Sequence, residues 1–220
     1  ELTGILPSRA WKRDRFGATN GKWYLGDSIS AGIGQGYNAF TPLQLAHAIA
    51  AIANDGVAYR PHLLHAINGR EDSANALVDE RPTTIALNPA NLAVIKAALV
   101  GVNREGTGKQ AFIGATYTSA GKTGTAQVYS LKGEKYSEKK VDERLRDHAW
   151  FIAYAQPDKP RIAIAVLVEN GGFGASAAAP IVRRVFDYYL AGVKSAPVKN
   201  VDAPAGEDES WPDGRYVLTS

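Results

Sequence analysis

Lys122-Thr123-Gly124-Thr125 gathers a cation, two hydroxyls and a glycine into four positions, inside the run Tyr117-Thr118-Ser119-Ala120-Gly121-Lys122-Thr123-Gly124-Thr125-Ala126-Gln127-Val128-Tyr129. The run reads as a β-strand. Side chains alternate along a strand, so Thr123 and Thr125 share one face and Lys122 takes the other. On an edge strand beside a cleft, both sets can reach a ligand lying alongside. Gly124 has no side chain, so a ligand backbone can approach and pair with the free N–H and C=O groups of the strand. Lys122 offers a fixed positive charge to a terminal carboxylate, and both threonine hydroxyls can donate to the same group. The Thr125 N–H suits an oxyanion developing on an attacked carbonyl, a kind of donor worth ~3–4 kcal/mol in a transition state. The plainer alternative is a polar edge strand whose lysine discourages aggregation.

Other chemistries are weaker. Gly121-Lys122-Thr123 evokes a phosphate-binding loop, but Thr116 stands where that loop needs a glycine, and Gly124 intervenes before any helix. Gly32-Ile33-Gly34-Gln35-Gly36 could cradle a ligand, yet reads first as a tight turn feeding the next helix, and Gln35 receives no catalytic role. His62 and His65 would face opposite sides of a strand with no carboxylate or cysteine to join them, so no metal site is expected. His148 and Trp150 share a face, where packing or support of the site is the default reading. With no cysteine, the chain has no disulfide, thiolate zinc site or cysteine nucleophile. The net charge of +3 comes from interleaved signs, which argues against a nucleic-acid partner. Lys132 to Arg146 also holds Glu134, Glu138, Asp142 and Glu143, a solvated loop.

The elements that must position these residues follow from pattern and punctuation. Residues 1–40 are Gly-rich and aromatic and read as loops and turns. Thr41 as N-cap and Pro42 at the first position open a helix that runs through Ala53 and stops at Asn54-Asp55-Gly56. Its side chains are almost all apolar, which predicts burial all round. A strand is expected over 57–67 with Pro61 near an edge, then a polar loop around 69–75. Asn88 and Pro89 open a second helix with Leu92, Ile95, Leu99 and Val102 on one stripe. Strands are expected over 115–129, 148–155 and 161–169, the last two joined at Gln156-Pro157-Asp158-Lys159-Pro160. A last helix over 180–190 puts Ile181, Val185 and Tyr188 on one stripe. Residues 1–193 read as one domain, and 194–220 as a disordered tail rich in Ala, Pro, Asp, Glu and Ser. With 45% hydrophobic residues the chain can bury a sizeable core. The fold class expected is α+β, a mainly antiparallel sheet flanked by helices.

Lys-Thr-Gly on a strand is one of three motifs of penicillin-interacting serine enzymes. Three further runs stand beside it: Gly32-Ile33-Gly34-Gln35-Gly36-Tyr37 with Thr41-Pro42-Leu43-Gln44-Leu45, then Glu143-Arg144-Leu145-Arg146-Asp147-His148, then Val168-Glu169-Asn170-Gly171-Gly172. Together, in this order and spacing, they resemble the elongation-type class B penicillin-binding transpeptidases, the penicillin-binding protein 2 group, from about Glu1 to Leu190. The resemblance implies a transpeptidase fold of the β-lactamase-like kind, incomplete on its N-terminal side. It implies a peptidoglycan D,D-transpeptidase that cross-links stem peptides during elongation through a serine acyl-enzyme trapped by β-lactams. It assigns Lys122 electrostatics and proton relay, Thr123 and Thr125 carboxylate binding, Gly124 close approach of substrate, and the Thr125 N–H one oxyanion donor. No cofactor is implied.

The family also needs Ser-x-x-Lys and Ser-x-Asn. Ser119-Ala120-Gly121-Lys122 matches the first in letters only. Residues three apart face the same way on a helix, whereas a strand is expected here. Ser137-Glu138-Lys139-Lys140 sits in a charged loop, and Ser73-Ala74-Asn75 is too close to Lys122 for the family order. The nucleophile is therefore expected on an upstream half of the protein. Partners implied by resemblance are stem peptides, β-lactams, that upstream half, a lipid-linked-glycan polymerase and cell-shape proteins. The implied location is the bacterial inner membrane, with this domain in the periplasm and the anchor upstream. Two other readings stay open: a non-catalytic scaffold or sensor that binds peptidoglycan or a β-lactam, and a related serine D,D-carboxypeptidase or β-lactamase.

Overall fold

A computed structural model describes residues 2–64, 81–128 and 142–193. Its centre is a sheet of β3 (Ser119–Ala126), β4 (His148–Ala155) and β5 (Ile162–Val168), antiparallel throughout and in that spatial order. β4 runs over the residues the pattern predicts. β5 is one residue shorter at each end. β3 is shorter than the expected 115–129, because Gly114 at φ 73° and a turn delay its start. Gln156, at φ 58°, opens the β4–β5 hairpin, where the Lys159 N–H donates to the Gln156 carbonyl at 2.9 Å.

Helices cover both faces, and the fold class is α+β as expected. On the front lies α3 (Pro42–Ala53), capped reciprocally by Thr41 and Gln44 as the Thr-Pro signal predicts. Beside it lies α4 (Pro89–Arg104), whose N-cap Asn88 accepts from the Ala90 and Asn91 N–H groups. Ile49, Ala53, Ala120 and Tyr154 form a small core there, with Leu99 and Val100 packed against it. On the rear, α5 (Lys109–Phe112) and α7 (Ala179–Ala191) enclose Phe112, Ala149, Phe151, Ala153, Val182 and Phe186. The four-residue α6 (Gly174–Ala177) leads into α7.

Several expectations are corrected. Residues 1–40 carry two helices, α1 (Arg9–Asn20) and α2 (Leu25–Gly32). α1 is largely polar and has no apolar stripe to announce it. It is held by Ser8 accepting from the Trp11 N–H and by the Lys12–Asp27 ion pair at 2.7 Å. Gly17, at φ 75°, breaks its helical geometry. α3 is not buried all round: Ile49, Ala51 and Ala53 are, while Leu43 is 47% exposed. The strand expected over 57–67 shrinks to β1 (Val57–Ala58), paired with β2 (Thr83–Thr84), and Pro61 lies beyond it. On α4, Leu92 is buried but Ile95 is about half exposed. The buried stripe of α7 is Ala179, Val182 and Phe186, at spacings of three and four. Ile181 and Tyr188, expected inward, are 42% and 61% exposed. Residues 180–190 hold two competing apolar stripes, and the sheet selects the one bearing Phe186. The loop around 69–75 and the tail 194–220 lie outside the described residues.

Candidate active site

The period of two along β3 sorts its residues. Ala120 packs into the front core with Tyr154, its cross-strand partner, so Lys122, opposite Ile152, lies on the same face. Gly121, Thr123 and Thr125 alternate with it. Ser119 and Lys122 therefore fall on opposite faces. Ser119 is buried and accepts from the Asn103 amide at 2.9 Å, so that Ser-x-x-Lys match is no nucleophile and base pair. The other two literal matches, at Ser137 and Ser73, lie outside the described residues.

Lys122 is exposed, and its ammonium donates to the Thr123 carbonyl at 2.8 Å. Among the described residues it has no carboxylate partner. Thr123 Oγ1 lies 3.1 Å from Thr107 Oγ1, which comes from the turn between α4 and α5. β3 has β4 on one side, and among the described residues no strand pairs with its other edge. A charge, hydroxyls and free backbone groups thus line one open edge, an arrangement able to hold an extended chain with a carboxylate end.

Two glycines press the strand flat against its neighbours. A Cβ at Gly121 would meet the Phe151 ring at 2.6 Å, and one at Gly124 would meet Trp150 Cβ at 3.0 Å. Behind them, a Cβ at Gly174 would come within 2.8 Å of the Gly124 carbonyl. The strand can therefore take no side chain at these points without shifting.

Of the supporting residues, only His148 was legible in the sequence. Asn170, in the left-handed region at φ 54°, donates through its amide to the Arg144 and Arg146 carbonyls at 3.1 and 2.9 Å. Its N–H donates to His148 Nδ1 at 2.9 Å. His148 thus latches the loop after β5 to the base of β4, the supporting role expected of it. Behind the sheet, Asp187 takes both Arg183 Nε, at 2.7 Å, and the Tyr117 hydroxyl, at 2.7 Å. Arg183 Nη1 then reaches the Ile113 carbonyl at 2.8 Å, fixing the loop that feeds β3. Burial and the Asp187 carboxylate together push the Tyr117 hydroxyl well above the ordinary tyrosine range. The Asn170-Gly171 pair was the one local hint, since asparagine tolerates a left-handed backbone. His62 Nδ1 meets the Leu64 carbonyl at 2.8 Å, and His65 lies outside the described residues. The described residues hold no group of three or more His, Cys, Asp or Glu able to bind a metal.

A Lys-Thr-Gly strand at the free edge of an antiparallel sheet, with helices on both faces, is the architecture of the penicillin-interacting serine enzymes. The chain belongs to the penicillin binding protein transpeptidase domain family, which matches residues 10–187. It is 43% identical over 199 residues to a peptidoglycan D,D-transpeptidase, MrdA, of Haemophilus influenzae, covering 86% of this chain and 29% of the relative. The solved Pseudomonas aeruginosa PBP2 in complex with WCK 5153 aligns with a TM-score of 0.70 at 39% identity, over 86% of this chain and 39% of that one. The Helicobacter pylori PBP2 in complex with MreC gives 0.67 at 31%, over 88% and 32%. The resemblance to penicillin-binding protein 2 is borne out. The chain spans under a third of the H. influenzae relative's length.

Proposed function

We propose that the protein is a peptidoglycan D,D-transpeptidase of cell elongation, and that this chain contributes the Lys-Thr-Gly wall of its cleft. The observation that carries the reading is the open edge of β3. An exposed lysine, with no carboxylate partner among the described residues, two hydroxyls and a glycine lie there on an edge that no described strand pairs. In the reaction, a serine from the upstream half attacks the carbonyl of the penultimate D-Ala of a stem peptide. The terminal D-Ala leaves as the free amino acid, taking a proton to its nitrogen. An amine of a neighbouring stem then displaces the serine and completes the cross-link. Thr123 and Thr125 hold the terminal carboxylate, and Lys122 supplies positive charge and relays protons. The Thr125 N–H donates to the oxyanion, where charge in a dry site is stabilised most. β-Lactams enter as imitations of the D-Ala-D-Ala end.

The same reading places the enzyme in the inner membrane through an upstream anchor, with this domain in the periplasm. No helix among the described residues is long and apolar enough to cross a membrane. A protein of the MreC kind, complexed with the H. pylori relative, and a lipid-linked-glycan polymerase are the proposed partners. Labelled penicillin tests the division of labour. The full-length enzyme should form a covalent adduct on an upstream serine, and the 220-residue chain alone should form none. A stoichiometric adduct on any serine of this chain would overturn the assignment of the nucleophile.

A further inference from the structure

The Gly-rich turn before α3 stands beside the far end of the Lys122 strand. A cleft of about 300 Å³ is lined there by Gly34, Gln35, Gly36 and Asn38 on one side and by Ala126, Gln127 and Val128 on the other. The turn is built to hold one shape. Gly34 and Gly36 take φ 77° and 72°, values that side chains disfavour. The Asn38 amide donates to the Gln35 carbonyl at 2.8 Å and to the Ala31 carbonyl at 3.4 Å, and the Gln35 N–H donates to the Ser30 carbonyl at 2.9 Å. These ties hold the backbone at Gln35 from both its N–H and its carbonyl. Its own carboxamide, like that of Gln127, makes no hydrogen bond among the described residues.

We propose that this cleft is a specificity subsite in which Gln35 and Gln127 read the side chain of the donor residue preceding D-Ala-D-Ala. The inference rests on the transpeptidase reading and deepens it. If the terminal carboxylate lies by Lys122 and Thr123 and the attacked carbonyl by the Thr125 N–H, the direction of the donor along β3 is set. Its remaining residues continue past Thr125, at about 3.3 Å each, onto Ala126, Gln127 and Val128. The preceding residue then faces Gln35 across the cleft. Each carboxamide offers both an acceptor and donors, so the pair fits a long side chain that ends in donor and acceptor groups. An apolar end of equal length leaves both amides unpaired.

The test uses the full-length enzyme and two synthetic donors ending in D-Ala-D-Ala, one preceded by Nε-acetyl-lysine and one by 2-aminononanoic acid, whose unbranched alkyl side chain has the same length. Wild type should favour the acetyl-lysine donor in kcat/KM by about tenfold, the yield of one to two neutral hydrogen bonds. Gln35→Leu and Gln127→Leu should each cut that ratio several-fold, with melting temperature as the check on folding. Gln127 is exposed, so its variant keeps the test alive should Gln35→Leu fold poorly. Equal rates on both donors in wild type, or a ratio that neither variant moves, overturn the subsite alone. Absence of any acyl-enzyme from wild type, with either donor or with penicillin, overturns the transpeptidase reading and the subsite with it.

Discussion

The two faces of the central sheet are built differently. On the rear, Ala149, Phe151, Ala153, Ala155, Val182 and Phe186 are fully buried. The Phe112 ring centroid lies 6.0 Å from that of Phe151 and 6.4 Å from that of Phe186. The Arg183–Asp187–Tyr117 clasp closes that side. On the front, Ile49, Ala53, Ala120 and Tyr154 close one end of the sheet, while Lys122 stays exposed and α3 leaves Leu43 half uncovered. One strand serves both. Because its side chains alternate, β3 places Ala120 of the front core and Lys122 on one face, and Gly121, against the Phe151 ring, with Thr123 and Thr125 on the other. The lesson is that each face of β3 packs at its start and meets ligand further along, so stability and ligand contact are separated along the strand rather than between its faces.

The largest expected effect concerns the exposed apolar side chains of α2 and α3. The isolated 220-residue chain should bind an apolar dye and unfold without a sharp transition in circular dichroism, because Leu25, Ile29, Ile33 and Leu43 stand exposed. A cooperative transition with no dye binding would show these side chains already covered. On the rear, Phe151→Ala in the full-length protein should lower stability by ~3–5 kcal/mol in urea titration, as buried aromatic truncations do. Lys122→Ala should do the reverse. Melting should hold while second-order acylation by penicillin falls by ~3–4 kcal/mol, the scale of a lost oxyanion donor. If it acylates at near wild-type rate, Lys122 is only an edge-strand charge, and the comparison fails on its functional side.

Smaller effects sharpen the contrast. Thr123→Val removes one hydroxyl and the Thr107 contact, so it should cost ~1 kcal/mol in acylation by penicillin and by peptide donors alike. The clasp predicts a pH dependence. Burial and Asp187 raise the Tyr117 pKa above its unfolded value of 10.0, so the folded protein keeps this proton where the unfolded chain has lost it. That stability is whole below pH 10 and declines as pH rises past it. Tyr117→Phe should therefore show a shallower alkaline loss of melting temperature than wild type, from a lower starting value. A parallel loss in both proteins would remove the clasp from the account.

Local signals were legible where local physics decides. Thr41-Pro42 and Asn88-Pro89 announced helix starts because capping involves only the next three residues. β4 was legible because its apolar run is bounded on both sides. α1 was not, since Lys12 finds Asp27 fifteen positions away and buries its ammonium beside the Tyr24 and Tyr37 rings, each 5.3 Å off. The inward stripe of α7 was misread for a related reason. Helical periodicity offered two apolar faces, and only the docked sheet chooses between them.

By itself, the sequence determined the Lys-Thr-Gly strand, its alternation, the antiparallel hairpin after it and the family. Each depends on residue identity and on contacts within a few positions. Tertiary structure alone decided that this strand pairs on one side only among the described residues, that Ser119 is buried against Asn103, and that Gln35 and Gln127 line one cleft. Those facts join residues from sixteen to some ninety positions apart, and no propensity or period encodes such distances. They are set when helices pack on the faces of the sheet and, among the described residues, no strand joins the outer edge of β3.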